Sequence, residues 1–505
     1  MPIGRFNMRY RLSRIFGIQK SKFPWACLLL AGILLLGCAH APEKSVPFDG
    51  SNASTVLPAG PSSVEIPEQS TPSAPPVEPA RQGVLTLDRA IEEALRASPE
   101  LEQIRERLDA SEQQVRQAEA SFYPRLILAE DFNATDNPVF ALMDIINQRR
   151  LQTDVNFNEP GRQQNFSSKV QGEWLLFQGG SRWYDRNAAL GQKKSIDAEL
   201  LAARNHLVAK VSETYYRWLQ SFGFVEVAEK ALESARTDEE VGAARVQAEM
   251  ALPSEFMRLK VRTTEAESNL VTAKTGLRRL QAGLERLIAR PIGVEEVPNG
   301  AASVASEPPT TVSEDTPALV KQALDKRPEM AAVRSLIKAS RDRVNSARGG
   351  FLPKIAANVN YQWDSEELDE SAESWFVGLQ ASWPLFEGGF TLAKMREAES
   401  RVKEMEARGQ QVALDIALEV QQAALAVQES AEKIKVAEER RRWAQKSLEE
   451  VRHLYRNEVA SVDALLQAEV AWNQAEVAYT AALFDGRIAQ ALLRESLGDF
   501  ADHLQ

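Results

Sequence analysis

Cysteine is almost absent from this 505-residue chain: Cys27 and Cys38 both lie near the beginning and none follows. A disulfide framework or a cysteine-based zinc site in the body of the protein is therefore excluded. Histidine is equally sparse, with His40, His206, His453 and His503 too scattered for a metal cluster or a catalytic triad. No glycine-rich phosphate loop and no nucleophile elbow occurs, so we expect no enzyme, no cofactor and no metal. Basic residues do not predominate either, at 60 against 71 acidic ones, which argues against a nucleic-acid partner. After residue 38 no apolar run reaches the roughly 18 residues of a membrane-spanning helix. Proline is missing over 181–249 and again over 389–457, and each stretch begins beside a glycine pair.

The beginning of the chain has the form of an export signal. Arg5, Arg9, Arg11, Arg14, Lys20 and Lys22 precede an apolar stretch from Phe23 to Leu36, and no acidic residue lies among them. The stretch ends in Leu35-Leu36-Gly37-Cys38, which resembles a bacterial lipobox and makes Cys38 the expected lipidation site. The alternative is cleavage after Ala39-His40-Ala41. We read 1–37 as the signal and 38–84, rich in Pro, Ser and Glu, as a tether.

What the chain has in place of these is a repeat. Pro99, Val115, Ala118, Phe122 and Pro124 recur as Pro328, Val344, Ala347, Phe351 and Pro353 at an offset of 229. Trp174-Leu-Leu-Phe-Gln-Gly-Gly180 recurs as Trp383-Pro-Leu-Phe-Glu-Gly-Gly389 at an offset of 209. The first copy thus carries about twenty extra residues, which fall within 133–166. The repeats are 85–290 and 317–497, joined by a proline-rich linker at 291–316 and followed by a tail at 498–505.

The proline-free runs predict helices about 100 Å long, each with a returning partner at 254–290 or 461–497. The turns between them, 249–255 and 455–463, are the tips. Between the shorter and the longer helices, alternation predicts strands at about 124–132, 168–177, 354–364 and 375–385. In the third, Ile355, Ala357, Val359, Tyr361 and Trp363 share one face, with Ala356, Asn358, Asn360 and Gln362 on the other. Such lengths, with aromatics near the ends, suit tilted membrane strands. A soluble hairpin packed on a helix alternates too, but it gives no reason for tryptophan-tipped apolar faces opposite neutral polar ones. Four strands do not close a barrel, because the smallest outer-membrane barrels use eight.

With the Phe-x-Pro entries (Phe122/Pro124, Phe351/Pro353) and the Phe-x-Gly-Gly exits (Phe177 to Gly180, Phe386 to Gly389), the chain resembles the TolC-type outer-membrane factors, in their lipoprotein subgroup. The resemblance implies a mainly α fold with transmembrane β-strands: a duplicated unit of long helical hairpins and two β-hairpins. It further implies a homotrimer that forms an α-barrel and a twelve-stranded β-barrel in outer-membrane lipid. That assembly is the exit duct of an efflux pump or a type I secretion system, served by a periplasmic adaptor and an inner-membrane transporter. The rival is a periplasmic coiled-coil lipoprotein, adaptor or tether, without a pore. Pro124, Gly179, Gly180, Pro353, Gly388 and Gly389 are the expected strand–helix junctions, the glycine pairs turning strand into helix without steric cost. Glu249, Ser254, Glu255, Tyr455, Glu458 and Asp463 are the gate candidates, with helix capping as the competing role for the acids. Glu458 stands where the family's tip has glycine, and Asn457 is the expected left-handed residue.

Overall fold

In a computed structural model, residues 83–153, 155–297, 315–367 and 371–499 are described. The signal, Cys38, the tether to residue 82 and most of the 291–316 linker lie outside them. The described chain divides into two compact units. One consists of Pro124–Trp174 and Ala356–Gln380, the other of the remainder.

The duplication is visible element by element. Helix α1 (Leu87–Ala97) and helix α2 (Pro99–Ala120) lead to strand β1 (Arg125–Thr135), helix α3 (Pro138–Asn147) and strand β2 (Gln163–Gln178). Helices α4 (Ser181–Gln247) and α5 (Pro253–Ile288) complete the first copy. The second copy comprises α6 (Thr316–Lys326), α7 (Pro328–Arg348), β3 (Lys354–Ser365), β4 (Ala372–Ser382), α8 (Phe390–Arg456) and α9 (Val462–Leu497). Helices α4 and α8 have 67 residues each, and α5 and α9 have 36 each. Among the described residues the second copy has no counterpart to α3. An outward-facing loop was expected over 133–166, whereas the segment holds this ten-residue helix, capped by Asn137 and opened by Pro138. Its own sequence is apolar almost throughout, which hides the helical period from a reading by alternation.

The helical unit is held by close side-to-side packing. Helix α4 lies against α2, α5, α7 and α9, while α8 lies against α6, α7 and α9. Small residues set the approach: a Cβ on Gly191 of α4 would meet Ala339 of α7 at 2.9 Å, and one on Gly223 would meet Thr480 of α9 at 2.7 Å. A helix that packs on several neighbours carries apolar groups on more than one face, which is why neither long helix shows a single hydrophobic stripe. Trp218, Leu219, Val211 and Leu284 fill one core with Leu85 and Leu101, and Val420, Ala424 and Leu493 another with Ala323.

A buried ion cluster pins the start of the fold to the end of α5. Glu296 is 0% exposed, and both its oxygens accept from Arg290, at 2.7 and 2.9 Å. Arg89 of α1 donates to it at 3.0 Å, and Arg290 also reaches Glu93 at 2.8 Å. Burial works against the Glu296 charge. The Arg290 and Gly293 donors, with the Arg290 and Arg89 charges, overcome it and hold the carboxyl below its usual value. A depressed carboxyl stabilises the fold above its unfolded pKa, and that contribution is lost as pH falls through the folded value. We predict that Glu296→Ala, which takes from Arg290 one of its two carboxylate partners and leaves it Glu93, costs about 1–3 kcal/mol. Thermal melting of the helical signal checks this, and the gap between wild type and variant should narrow in acid.

Candidate functional site: an amphipathic sheet and two helical tips

The sheet runs β1-β2-β3-β4, so β1 and β4 have unpaired outer edges within one chain. Strands β1 and β2 pair antiparallel, from Arg125↔Glu173 to Thr135↔Gln163. That register puts Leu126, Leu128 and Phe132 on the same face as Phe166, Val170 and Trp174, and Phe132 stacks on Phe166 at 4.7 Å. Opposite them Asp131, Asn133 and Thr135 share a face with Gln163, Asn165 and Ser167. In β3 and β4 the apolar face continues through Val359, Trp375, Val377 and Leu379, all exposed in the single chain. Apart from Glu130, which lies between Leu128 and Phe132 on the first face and accepts from Ser168 at 2.7 Å, one face of this sheet is suited to hydrocarbon and the other to water.

The expected junction residues sit where strand meets helix. Gly179 and Gly180 have φ 60° and 78°, and Gly388 and Gly389 have 59° and 84°. Gly179 is doubly constrained, since a Cβ there would lie 2.1 Å from the Gly349 carbonyl oxygen. Pro124 and Pro353 each stand one residue ahead of their strand, β1 and β3.

The tips repeat each other at the level of single hydrogen bonds. Glu249 N–H donates to Val246 O and Glu458 N–H to Tyr455 O, both at 3.1 Å. The next N–H groups, of Met250 and Val459, reach Arg245 O and Leu454 O, both at 2.9 Å. These are Schellman caps, whose left-handed position usually holds glycine. Here glutamate occupies it twice, Glu249 at φ 62° and Glu458 at 65°. The expectation for Asn457 is thereby corrected: it has φ −91°, because the cap places its left-handed residue one position later.

Tyr455 is 5% exposed, in a cluster with Leu259, Leu448 and Leu465. Its ring is therefore a packing group within the single chain. Arg245 of α4 lies 4.5 Å above that ring and donates to the Tyr455 and Arg456 carbonyls at 3.0 and 3.1 Å, closing the carboxyl end of α8. Asp463, in the first turn of α9, is exposed and pairs with both oxygens to Arg258 of α5, at 2.6 and 2.5 Å. Ser461 caps α9 by accepting from Ala464 N–H. Glu249, Ser254 and Glu458 are exposed and Glu255 is half-buried in the first turn of α5. Among the gate candidates, then, the structure joins Tyr455 and Asp463 to the first tip and leaves Glu249, Ser254 and Glu458 at the surface.

A second cluster lies farther from the turns. Arg452 of α8 donates to Ser234 at 2.6 Å and to Glu469 at 3.0 Å, with Asp238 at 3.8 Å. It lines a groove of about 670 Å³ between α4, α8 and α9, with Lys230, Arg441, Trp472 and Asn473. Burial, then hydrogen bonding to Glu469 and its charge, push Asp238 up to about 7, against the pull of Arg452 and Arg456. Neither Arg245, Arg258 nor this cluster was legible beforehand, since Arg258 and Asp463 stand 205 residues apart and Arg245 and Tyr455 210 apart.

A family model for outer membrane efflux proteins matches residues 90–290 and 319–499. The chain belongs to the outer membrane efflux protein family. It is 25% identical over 346 residues to protein CyaE of Bordetella pertussis, a match that covers 68% of each chain. It is 25% identical to the alkaline protease secretion protein AprF of Pseudomonas aeruginosa over 41% of this chain and 44% of AprF. It thus spans less than half the length of that relative. Among solved structures, a membrane protein from Pseudomonas aeruginosa superposes with a TM-score of 0.72 at 20% identity, covering 86% of this chain and 99% of the other. The outer membrane protein VceC of Vibrio cholerae gives 0.68 at 20%, covering 82% and 96%. The fold is that of TolC-like outer-membrane channels. Among the described residues no helix is long and apolar enough to cross a membrane.

One prediction concerns a tip and one the Asp238 cluster. Glu458→Gly removes the cost of a left-handed non-glycine residue and should stabilise the tip by about 1 kcal/mol, seen as slower amide exchange at Val459. Asp238 titrates far above an ordinary carboxyl, so the folded state favours its proton and loses stability as pH rises towards 7. Asp238→Asn should flatten that slope, measured as the melting difference between wild type and variant at about pH 5 and pH 8.

Proposed function

We propose that three copies of this chain close a twelve-stranded barrel in the outer membrane and a helical barrel in the periplasm, forming a passive exit duct. The observation that carries this reading is the four-stranded sheet with an apolar face and two unpaired edges. In hydrocarbon an open edge leaves backbone groups unsatisfied, so the sheet must close, and one chain has too few strands. The helical unit supports the same assembly. Its flanking helices carry uncovered apolar side chains: Met257, Val261 and Val271 on α5, and Leu414, Leu418 and Leu425 on α8. A head-to-tail contact of one flank with the other closes a ring.

In this duct, substrate is handed over by an inner-membrane transporter and a periplasmic adaptor that dock at the tips, and it leaves without chemistry. Selection among substrates belongs to the transporter. Lipidated Cys38 tethers the chain to the membrane that the strands span. Arg258–Asp463 holds α5 to α9, and its release lets the α8–α9 pair move outward. The exposed acids Glu249, Glu458 and Asp463, repeated three times, favour cations at the entrance. The coiled-coil tether remains the rival reading, but it has no use for an amphipathic sheet.

Two experiments test this reading. Purified protein in planar bilayers should give discrete single-channel steps, and Asp463→Asn should raise the conductance or weaken cation preference. Leu418→Glu should turn the trimer into monomers with unchanged helix content, read by native mass measurement. A soluble monomer without conductance after Cys38→Ala sinks the channel reading.

A further inference from the structure

The segment unique to the first copy covers a polar cluster that the duct reading does not use. Helix α3 crosses the strand ends and sends Asp144 and Gln148 against β2 and β3, both residues buried. Gln148 Nε2 donates to Gln164 O at 2.7 Å and to Asn165 Oδ1 at 3.0 Å. Asn165 Nδ2 in turn donates to Asp364 Oδ1 at 3.0 Å, and Gln362 Nε2 donates to Asp364 Oδ2 at 2.6 Å. Asn133 of β1 reaches Asp144 Oδ1 at 3.5 Å, the limit of a hydrogen bond. One network thus ties α3 to three strands around two carboxyl groups.

The cluster is short of positive charge and has unused oxygens. Asp364 is 0% exposed and Asp144 5%, and no Lys or Arg of the described residues pairs with either. Arg150, near in sequence, is committed to Glu366 at 2.5 Å and to Gln148 Oε1 at 2.9 Å. Asp144 Oδ2 and Ser167 Oγ are buried without a partner, and Ser167, 3% exposed, shares the face of Asn165 one pleat along. Two buried carboxylates without a counter-ion cost several kcal/mol. A single proton satisfies one Asp144 oxygen; Asp364 keeps its two neutral amide donors but no counter-charge, and Ser167 Oγ stays without a partner. Oxygen donors alone, two of them carboxylates from separate elements, match a hard divalent cation that keeps part of its water.

We propose that Asp144 and Asp364, with Ser167 Oγ, hold a calcium-class divalent cation that fastens α3 across the sheet. The cation bridges the helix to β3, so its loss frees the segment between β1 and β2 while leaving the strand ladder intact. It is a structural site with no catalytic role, and it exists once per chain because the second copy has no α3.

Equilibrium dialysis of radiolabelled calcium against full-length, detergent-solubilised protein washed with EDTA tests the proposal. We expect one saturable Ca2+ per chain, with a Kd on the order of 10⁻⁴ to 10⁻³ M. Asp144→Asn and Asp364→Asn, which keep side-chain size, should each weaken uptake at least about tenfold. Glu130→Gln, an acid of β1 outside the cluster, should leave it unchanged. Calcium should also slow amide exchange in α3 of the wild type by a factor that Asp144→Asn loses. Absence of saturable uptake by the wild type overturns the proposal, whatever the variants do. So does uptake that both asparagine variants retain, or a calcium effect on α3 that is equal in wild type and Asp144→Asn.

Discussion

A sheet edge in hydrocarbon has nowhere to send its backbone hydrogen bonds, and the rest of this protein is arranged around that fact. The described residues of each chain make four strands, two per copy of the repeat, and leave the outer edges of β1 and β4 unpaired. Satisfying them fixes the proposed stoichiometry, and the stoichiometry in turn gives the long helices their neighbours. Apolar groups left bare on α5 and α8 are then the flanks of a subunit and not flaws of a monomer. The same logic assigns the two sheet faces, one row of Leu, Phe, Val and Trp against lipid and one of Asn, Gln, Ser and Asp against water.

The duplication makes the two halves alike in geometry and lets them differ in chemistry. Both tips use the same cap with the same hydrogen-bond lengths, and both put a glutamate where glycine is easiest. Yet their stabilising partners differ. Arg245 closes the end of α8 and Arg258 holds the start of α9, so each cation reaches from the first copy into the second. The tips are therefore one linked object. The Asp238–Glu469–Arg452 group, farther along the same three helices, adds a buried carboxylate pair whose charge changes near neutrality.

How much of this was legible depends on range. Features set within a few residues could be read from the sequence: helix lengths from missing proline, left-handed junctions from paired glycines, strand faces from alternation. Helix α3 escaped because its ten residues lie inside an asparagine-rich insert that reads as a loop, and a run so short and apolar shows no helical period of its own. The tips escaped in part for another reason. A Schellman cap is defined by backbone position, so Glu458 takes the left-handed place although Asn457 is the better residue type for it. Tyr455 was expected as a gate group, but it turned out to be buried under Arg245, a residue 210 positions away. Side-chain partners at that separation leave no trace in local pattern.

Closure of the sheet edges between copies is the central claim, and cross-linking tests it most directly. With Leu128→Cys placed in β1 and Leu379→Cys in β4, a short bifunctional thiol reagent applied in membranes should join one chain's β1 to the next chain's β4. The account predicts a denaturing-gel ladder of one, two and three chains that stops at three. A ladder that continues past three, or chains that never join, contradicts it.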